Sequence, residues 1–163
     1  MPFLVADITN ELHYLPVIIL RLVLAFIAGS VIGWERETSA DLPVDHHGSM
    51  YRMFALVCIG ACMFTVAGQF GFAKSLTAPD RVASNVVTGV GFLGAGLIFK
   101  DKIGEIRGLP TAVGIWVSAA IGVMIGAGNY ISGLVGAVLA YFIMDMPHRF
   151  PGLFQKRNDR DAK

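Results

Sequence analysis

The sequence has 163 residues, of which 55% are hydrophobic and 15% are charged, and its formal net charge is +1. Soluble domains carry about 25% charged residues, so this composition and a mean hydropathy of +0.62 indicate an integral membrane protein. The low net charge argues against recruitment of nucleic acid, and the length leaves no room for a soluble enzyme domain. We therefore expect one membrane domain, no enzyme activity, and a lipid bilayer as the first partner.

The hydrophobic pattern predicts an all-α, polytopic bundle of about five transmembrane helices. The predicted spans are residues 15–34, 52–70, 82–99, 109–127 and 130–144. The resulting domains are an N-terminal surface segment (1–14), a transmembrane domain (15–144) and a basic cytoplasmic tail (145–163). The first residues lack a basic n-region, so we do not expect a cleavable signal peptide.

Span 1 contains Arg21 and ends in a charged run, and span 2 begins at Arg52. The loop between these spans can bring the two ends together, which predicts an inner polar cluster. Its members are Glu35, Arg36 and Arg52, with Arg52 as the simplest partner of Glu35. Anchoring of the helix ends is the alternative role for these charges.

Two other residue types in this region have ordinary explanations. Cys58 and Cys62 lie in an apolar run without further metal ligands, so we expect them to pack as small buried hydrophobes. His46 and His47 are adjacent in a loop and lack the regular spacing of a metal site. Solvation is therefore the simpler interpretation of the histidines, with metal binding or pH sensing as the alternative.

Span 3 has two unlike faces, and we predict that it is the central helix of the bundle. At about 100° per residue, Arg81, Asn85 and Thr88 share a stripe that should face protein or water. Val86, Val90, Leu93 and Leu97 fall on the opposite side and should face lipid. Four glycines fit close packing against neighbouring helices. They are Gly89, Gly91, Gly94 and Gly96. Their GxGxxG spacing lacks the strand–turn–helix context of a dinucleotide site.

Arg21 and the start of span 3 fall at comparable depth in this topology. An arginine within a span is costly, and a nearby carboxylate offsets the cost. We therefore predict an outer polar cluster in which Asp80 pairs with Arg21. Its members are Arg21, Asp80, Arg81 and Asn85. Complementing the positive N-terminus of its own helix is the alternative role of Asp80.

Span 4 carries small residues at every fourth position, which predicts a continuous and exposed face for helix packing. They are Gly114, Ser118, Gly122 and Gly126. Gly128-Asn129 predicts a tight turn before span 5. Ten basic residues fall on one side of the five-span topology and two on the other, which predicts N-out and C-in.

The motifs together resemble the MgtC/SapB family of bacterial inner-membrane proteins. The matching stretches, in order, are Gly33-Trp34-Glu35-Arg36-Glu37, Asp80-Arg81-Val82-Ala83, the glycine-rich 89–96 and Arg107-Gly108-Leu109-Pro110-Thr111-Ala112. The resemblance implies a role in growth under magnesium limitation and, in intracellular pathogens, in survival within macrophages. It also implies the F-type ATP synthase as one candidate partner complex. Larger members carry a soluble C-terminal domain, so we expect a short form.

Two functions fit these observations. The first is a regulator that acts through helix contacts with membrane partners and forms a homodimer, the commonest oligomer. The alternative is a small Mg²⁺ or other cation transporter or channel subunit, in which Asp80 and Glu35 are the candidate metal ligands. No cofactor is expected, and Mg²⁺ would act as a ligand or a signal.

Overall fold

The structure, a computed structural model, describes residues 2–39, 48–71, 80–100, 102 and 104–150. Five α-helices dominate this part: α1 (Pro2–Ser39), α2 (Ser49–Val66), α3 (Asp80–Leu97), α4 (Leu109–Gly126) and α5 (Tyr130–Arg149). A π-helical turn, Ala67–Gly71, continues α2. Two short strands, β1 (Phe99–Lys100) and β2 (Ile106–Arg107), lie between α3 and α4. The predicted all-α fold is confirmed.

Four segments of the described chain are long and apolar enough to cross a membrane: Leu12–Thr38, Ser49–Gly71, Leu109–Gly126 and Tyr130–Arg149. The remaining helix, α3, is less hydrophobic because its first turns contain Asp80, Arg81 and Asn85. These findings confirm a polytopic membrane bundle. The N-out, C-in orientation stays a prediction.

Two helices are longer than the hydrophobic pattern predicted. α1 begins at Pro2 rather than at residue 15, since proline needs no amide partner in a first helical turn. α5 continues beyond residue 144 to Arg149, whose side chain pairs with Asp145 one turn earlier. The part of the predicted tail from residue 151 onward lies outside the described residues.

The core lies where α2 and α4 meet backbone to backbone. A Cβ added at Gly122 would overlap the carbonyl oxygen of Cys58, and one at Gly126 would lie 2.8 Å from the carbonyl oxygen of Cys62. Ser118, between these glycines and Gly114, is completely buried. The small-residue stripe of α4 is therefore used inside the chain. This corrects the prediction that the stripe is an exposed face.

α1 packs on the other side of α2 through small residues at the same four-residue spacing. A Cβ at Gly29 would lie 2.7 Å from Cys58 Cβ, and one at Gly33 would lie 2.8 Å from Tyr51 Cα. Ala25, one turn earlier than Gly29, is completely buried. α2 is thus held between α1 and α4, which makes it the central helix of the bundle.

α3 lies at the edge of the bundle against α4 and α2, so its prediction as the central helix is wrong. Val86 and Val90 are buried, whereas Thr88 and Phe92 are exposed. Val86 and Val90 therefore face inward rather than toward lipid, and the polar stripe faces outward, whereas Leu93 is exposed, as predicted. The reason is that the valines at four-residue spacing match the apolar core, whereas the polar stripe does not.

The α3 glycines also differ from their prediction as helix-packing residues. A Cβ added at Gly89, Gly91 or Gly96 would meet no atom within 4 Å. Only at Gly94 does one approach another helix, 3.7 Å from Ala112 Cβ in α4. A side chain at three of these four glycines would therefore meet open space rather than a neighbouring helix.

The connection between α3 and α4 is an antiparallel hairpin in which Phe99 pairs with Arg107. Gly108 follows with a φ of 84° and is the N-cap residue that precedes α4. A Cβ at Gly108 would overlap the carbonyl oxygen of Leu97, so this turn requires glycine on both counts. The tight turn predicted at Gly128-Asn129 is confirmed, and Gly128 has a φ of 92°.

Candidate functional site

Arg21 is a buried cation that joins four helical segments at one end of the bundle. It is 8% exposed. Its Nη1 donates to the Oε1 of Gln69 at 2.6 Å and to the carbonyl oxygen of Gly126 at 2.7 Å. Its Nε donates to the hydroxyl of Tyr130 at 3.2 Å. The guanidinium therefore links α1 to the π-helical turn, the end of α4 and the start of α5.

The surroundings stabilise this charge with neutral groups. The Gly126 carbonyl belongs to the C-terminal turn of α4, where the helix dipole favours a cation. The guanidinium carbon also lies 5.2 Å from the ring centroid of Phe70 and 6.0 Å from that of Tyr130. Gln69 is fixed in turn, because its Nε2 donates to the carbonyl oxygen of Ala127 at 3.3 Å. The site is a preorganised hydrogen-bond acceptor set for one guanidinium.

The predicted outer cluster is only partly visible in this arrangement. Arg81 and Asn85 are exposed on α3, and none of the hydrogen bonds described for Arg21 involves them. The side chain of Asp80 lies outside the described residues, so its pairing with Arg21 stays a prediction. Sequence reasoning missed Gln69 and Tyr130. The signal available was that Gln69 is the only amide side chain in span 2.

The predicted inner cluster lies at the opposite end of α1. Glu35 is 2% exposed, Arg36 is half-buried and Arg52 is exposed. The Nε of Arg52 donates to the carbonyl oxygen of Gly48 at 3.1 Å, in the first turn of its own helix. The pairing of Arg52 with Glu35 stays a prediction.

Glu37, which was predicted only as part of the charged run, caps α2. Its Oε1 accepts a hydrogen bond from the backbone N–H of Gly48, and its Oε2 accepts one from the N–H of Tyr51 at 3.1 Å. The first amides of a helix lack intrahelical acceptors and carry a partial positive charge, so a carboxylate is stabilising there. Glu37 therefore fixes the angle at which α2 leaves α1.

We expect Glu37→Gln to lower the free energy of unfolding by about 1 kcal/mol, because the amide keeps one acceptor but loses the charge. Titration with sodium dodecyl sulfate from a mild detergent would measure the change. Glu105→Gln is the matched control, since Glu105 is exposed in the hairpin and contacts Arg107 at 3.6 Å. Equal effects of the two substitutions would contradict the capping role.

An open groove of about 680 Å³ separates α2 from α3. It is lined by apolar residues of both helices, including Leu56, Phe64 and Leu93, and Asn85 is the only polar side chain among its lining residues. One amide cannot supply the set of oxygen ligands that Mg²⁺ or Ca²⁺ requires. The groove therefore has the chemistry of a helix or lipid contact rather than that of a cation path.

No group of three metal-ligating side chains was found among the described residues. Of the candidate ligands, Glu35 is buried in α1, and the side chain of Asp80 is outside the described part. His46 and His47 also lie outside it. Cys58 and Cys62 are free and buried in the core, as the apolar run predicted.

The family model and the similar proteins point to the same family. The MgtC family model matches residues 22–151. The chain is 38% identical over 146 residues to the "Putative magnesium transporter YhiD" of Escherichia coli K12, covering 86% of this chain and 65% of that protein. It is 43% identical over 104 residues to Protein MgtC of Brucella abortus, covering 64% of this chain and 40% of that protein.

A second protein named MgtC, from Salmonella typhimurium, is 36% identical over 121 residues, covering 74% of this chain and 48% of that protein. No solved structure matches the chain. The chain thus spans less than two thirds of the length of each of these relatives. The family match covers residues from α1 to the end of α5, the same bundle that positions Arg21 and Glu37. With its membrane-crossing helices, the chain is a multi-pass bacterial membrane protein and belongs to the MgtC family.

Proposed function

We propose that this chain is a regulatory membrane protein that acts through the outward face of α3. We define the α3 face as Arg81, Ser84, Asn85, Thr88, Phe92 and Ala95, all of which are exposed. Asn85 and Thr88 lie within the helix, where contact with hydrocarbon would leave polar groups without partners. This exposed polar stripe is the observation that carries the proposal, because another protein surface would satisfy it.

The shape of the α3 face fits contact with a second copy of the chain. Phe92, at 81% exposure, projects from the helix, and Gly91 and Gly96 beside it leave open space. A projecting ring and a glycine notch on one face can each contact the other across a two-fold axis. Hydroxyl and amide groups both donate and accept hydrogen bonds, so the polar stripe is also complementary to itself.

Membership of the MgtC family supports a link between this regulation and the response to low magnesium. Contact with a larger membrane complex, such as the F-type ATP synthase that the resemblance implies, would use the same face. A cation transporter is the second candidate, favoured by the name of the relative YhiD. Against it, the α2–α3 groove has a single polar lining side chain, and the buried cation Arg21 would repel Mg²⁺ nearby.

Cysteine cross-linking in membranes tests the α3 face. Cys58 and Cys62 are buried, so an introduced exposed thiol is the reactive one. We expect oxidation to cross-link Thr88→Cys and Ala95→Cys into dimers, because both positions lie on the α3 face. Val135→Cys, on an exposed part of α5, is the matched control and should stay monomeric. Equal cross-linking at all three positions would reflect collisions and contradict a specific interface.

Liposome reconstitution separates the regulatory function from transport. We expect the purified chain to carry no Mg²⁺ flux above that of empty liposomes loaded with an Mg²⁺-sensitive dye. Asp80→Asn removes the candidate acidic ligand at the start of α3 while preserving the side-chain shape. Flux in the unmodified chain that disappears in this variant would overturn the regulatory proposal and establish the transporter.

A further inference from the structure

A second groove lies at the end of the bundle opposite to Arg21, between the end of α1, the start of α2 and α5. Its volume is about 700 Å³. Its lining residues are Ser30, Val31, Trp34, Glu37, Thr38, Gly48, Tyr51 and Tyr141. Thr38 ends one membrane-crossing segment, and Ser49, next to Gly48, begins the next. The groove is therefore at the level of the membrane surface.

The lining has the composition of a cation site. Trp34, Tyr51 and Tyr141 contribute three aromatic rings, whose faces attract cations. Glu37 contributes a carboxylate whose two oxygens are fixed by the backbone amides of Gly48 and Tyr51. Aromatic rings combined with one carboxylate favour an organic ammonium group over a hydrated metal ion, which would need several oxygen ligands.

A buried polar atom in the same groove points to a ligand. Ser30 is 9% exposed, and its hydroxyl has no hydrogen-bond partner among the described residues. An unsatisfied buried hydroxyl is costly, and native proteins seldom leave one without a partner. Because Ser30 lies about 12 Å below Thr38 along α1, a molecule reaching it must extend from the surface into the membrane.

The rim of the groove carries a positive charge beside the negative one. Arg52 is exposed, and its guanidinium Nη2 lies 3.3 Å from the place that a Cβ of Gly48 would occupy. Gly48 also donates to Glu37, so the cation and the carboxylate flank one backbone turn. The charge pattern is therefore complementary to a zwitterion that carries an ammonium and a phosphate.

We propose that this groove binds the head group of an ethanolamine phospholipid. Its ammonium group contacts Glu37 and the aromatic rings, and its phosphate faces Arg52. The glycerol region extends along Val31 toward the hydroxyl of Ser30. A glycerol phospholipid has the phosphate but no ammonium, so it would not make the contact with Glu37. This inference is independent of the α3 face and of the regulatory function.

Fluorescence quenching of Trp34 tests lipid selectivity directly. The chain has two tryptophans, so Trp116→Phe makes Trp34 the only reporter. The protein is placed in nanodiscs that contain either acyl-brominated ethanolamine lipid or acyl-brominated glycerol lipid at the same mole fraction. We expect the ethanolamine lipid to bind near Trp34 with about threefold higher relative affinity. Equal quenching by the two lipids, or none by either, would overturn the proposal.

Two substitutions at neighbouring residues distinguish loss of the lipid site from loss of the fold. Tyr141→Leu removes one aromatic wall, and we expect it to abolish the preference for the ethanolamine lipid. Phe142→Leu is the matched control, since Phe142 is exposed on α5 and is not among the lining residues. This control should keep the threefold preference. A preference that survives Tyr141→Leu unchanged would assign the selectivity elsewhere and overturn the proposed site.

Discussion

Arg21→Ala is expected to lower the free energy of unfolding by about 3 kcal/mol. The substitution removes hydrogen bonds from a charged donor to Gln69, Gly126 and Tyr130, each of which contributes about 1.5–3 kcal/mol in typical proteins. The relief of burying a cation offsets part of that sum. The net loss should appear as unfolding at lower sodium dodecyl sulfate fraction in detergent.

Two comparisons identify the origin of this loss. Arg81→Ala removes an exposed arginine and should change stability by less than about 0.5 kcal/mol. Arg21→Lys keeps the charge but has a single nitrogen, which cannot reach the hydroxyl of Tyr130 and the Gln69–Gly126 pair together. We expect it to recover less than half of the loss. Full recovery by lysine would show that charge alone matters and that the hydrogen-bond geometry does not.

The Arg21 site shows why sequence reasoning located a functional residue but not its partners. An arginine in an apolar run is conspicuous, and depth along the span limits where its partners lie. The search for a partner then favours carboxylates, because opposite charge is the strongest signal in a sequence. The partners that the structure describes are an amide, a phenol and a helix-terminal carbonyl. Neutral groups of this kind are common in the sequence. They can be identified as the partners of Arg21 only in the fold, where the ends of α2, α4 and α5 meet.

α3 shows a second limit of sequence reasoning. The pattern separated the two faces of the helix but did not indicate which face is buried. Helical periodicity separated Val86 and Val90 from Asn85 and Thr88 correctly. Periodicity does not indicate which of the two faces packs against the rest of the chain and which face contacts a partner. The interior of the bundle contains little polar surface, so burial of the valines stabilises the monomer. The polar stripe then stays exposed on the described part of the chain, where a partner surface can satisfy it.

The α4 stripe was easier to predict because it depends on size alone. Small residues at every fourth position permit close helix contact whatever the neighbour is. The sequence could not identify that neighbour as α2, because Cys58 and Cys62 offer only their backbone carbonyls to the contact. The same reasoning predicts which glycines tolerate substitution.

Gly122→Ala is expected to destabilise the bundle by about 3 kcal/mol. The added methyl group would overlap the carbonyl oxygen of Cys58 and lie 3.0 Å from Ala61 Cβ. Overpacking of a tight core typically costs about 1–3 kcal/mol, and a backbone carbonyl cannot move aside by changing rotamer. α4 would have to separate from α2 along the whole contact, which also loosens Gly126 and the acceptor that it offers to Arg21.

Gly60→Ala is the matched control on the opposing helix, since a Cβ there would meet no atom within 4 Å. This variant should be as stable as the unmodified chain, or more stable, because alanine is favoured over glycine within a helix by about 1 kcal/mol. The comparison holds the chemical change constant and varies only the space available. Equal unfolding midpoints for Gly122→Ala and Gly60→Ala would mean that the α2–α4 contact is not the tight backbone interface on which the Arg21 site depends.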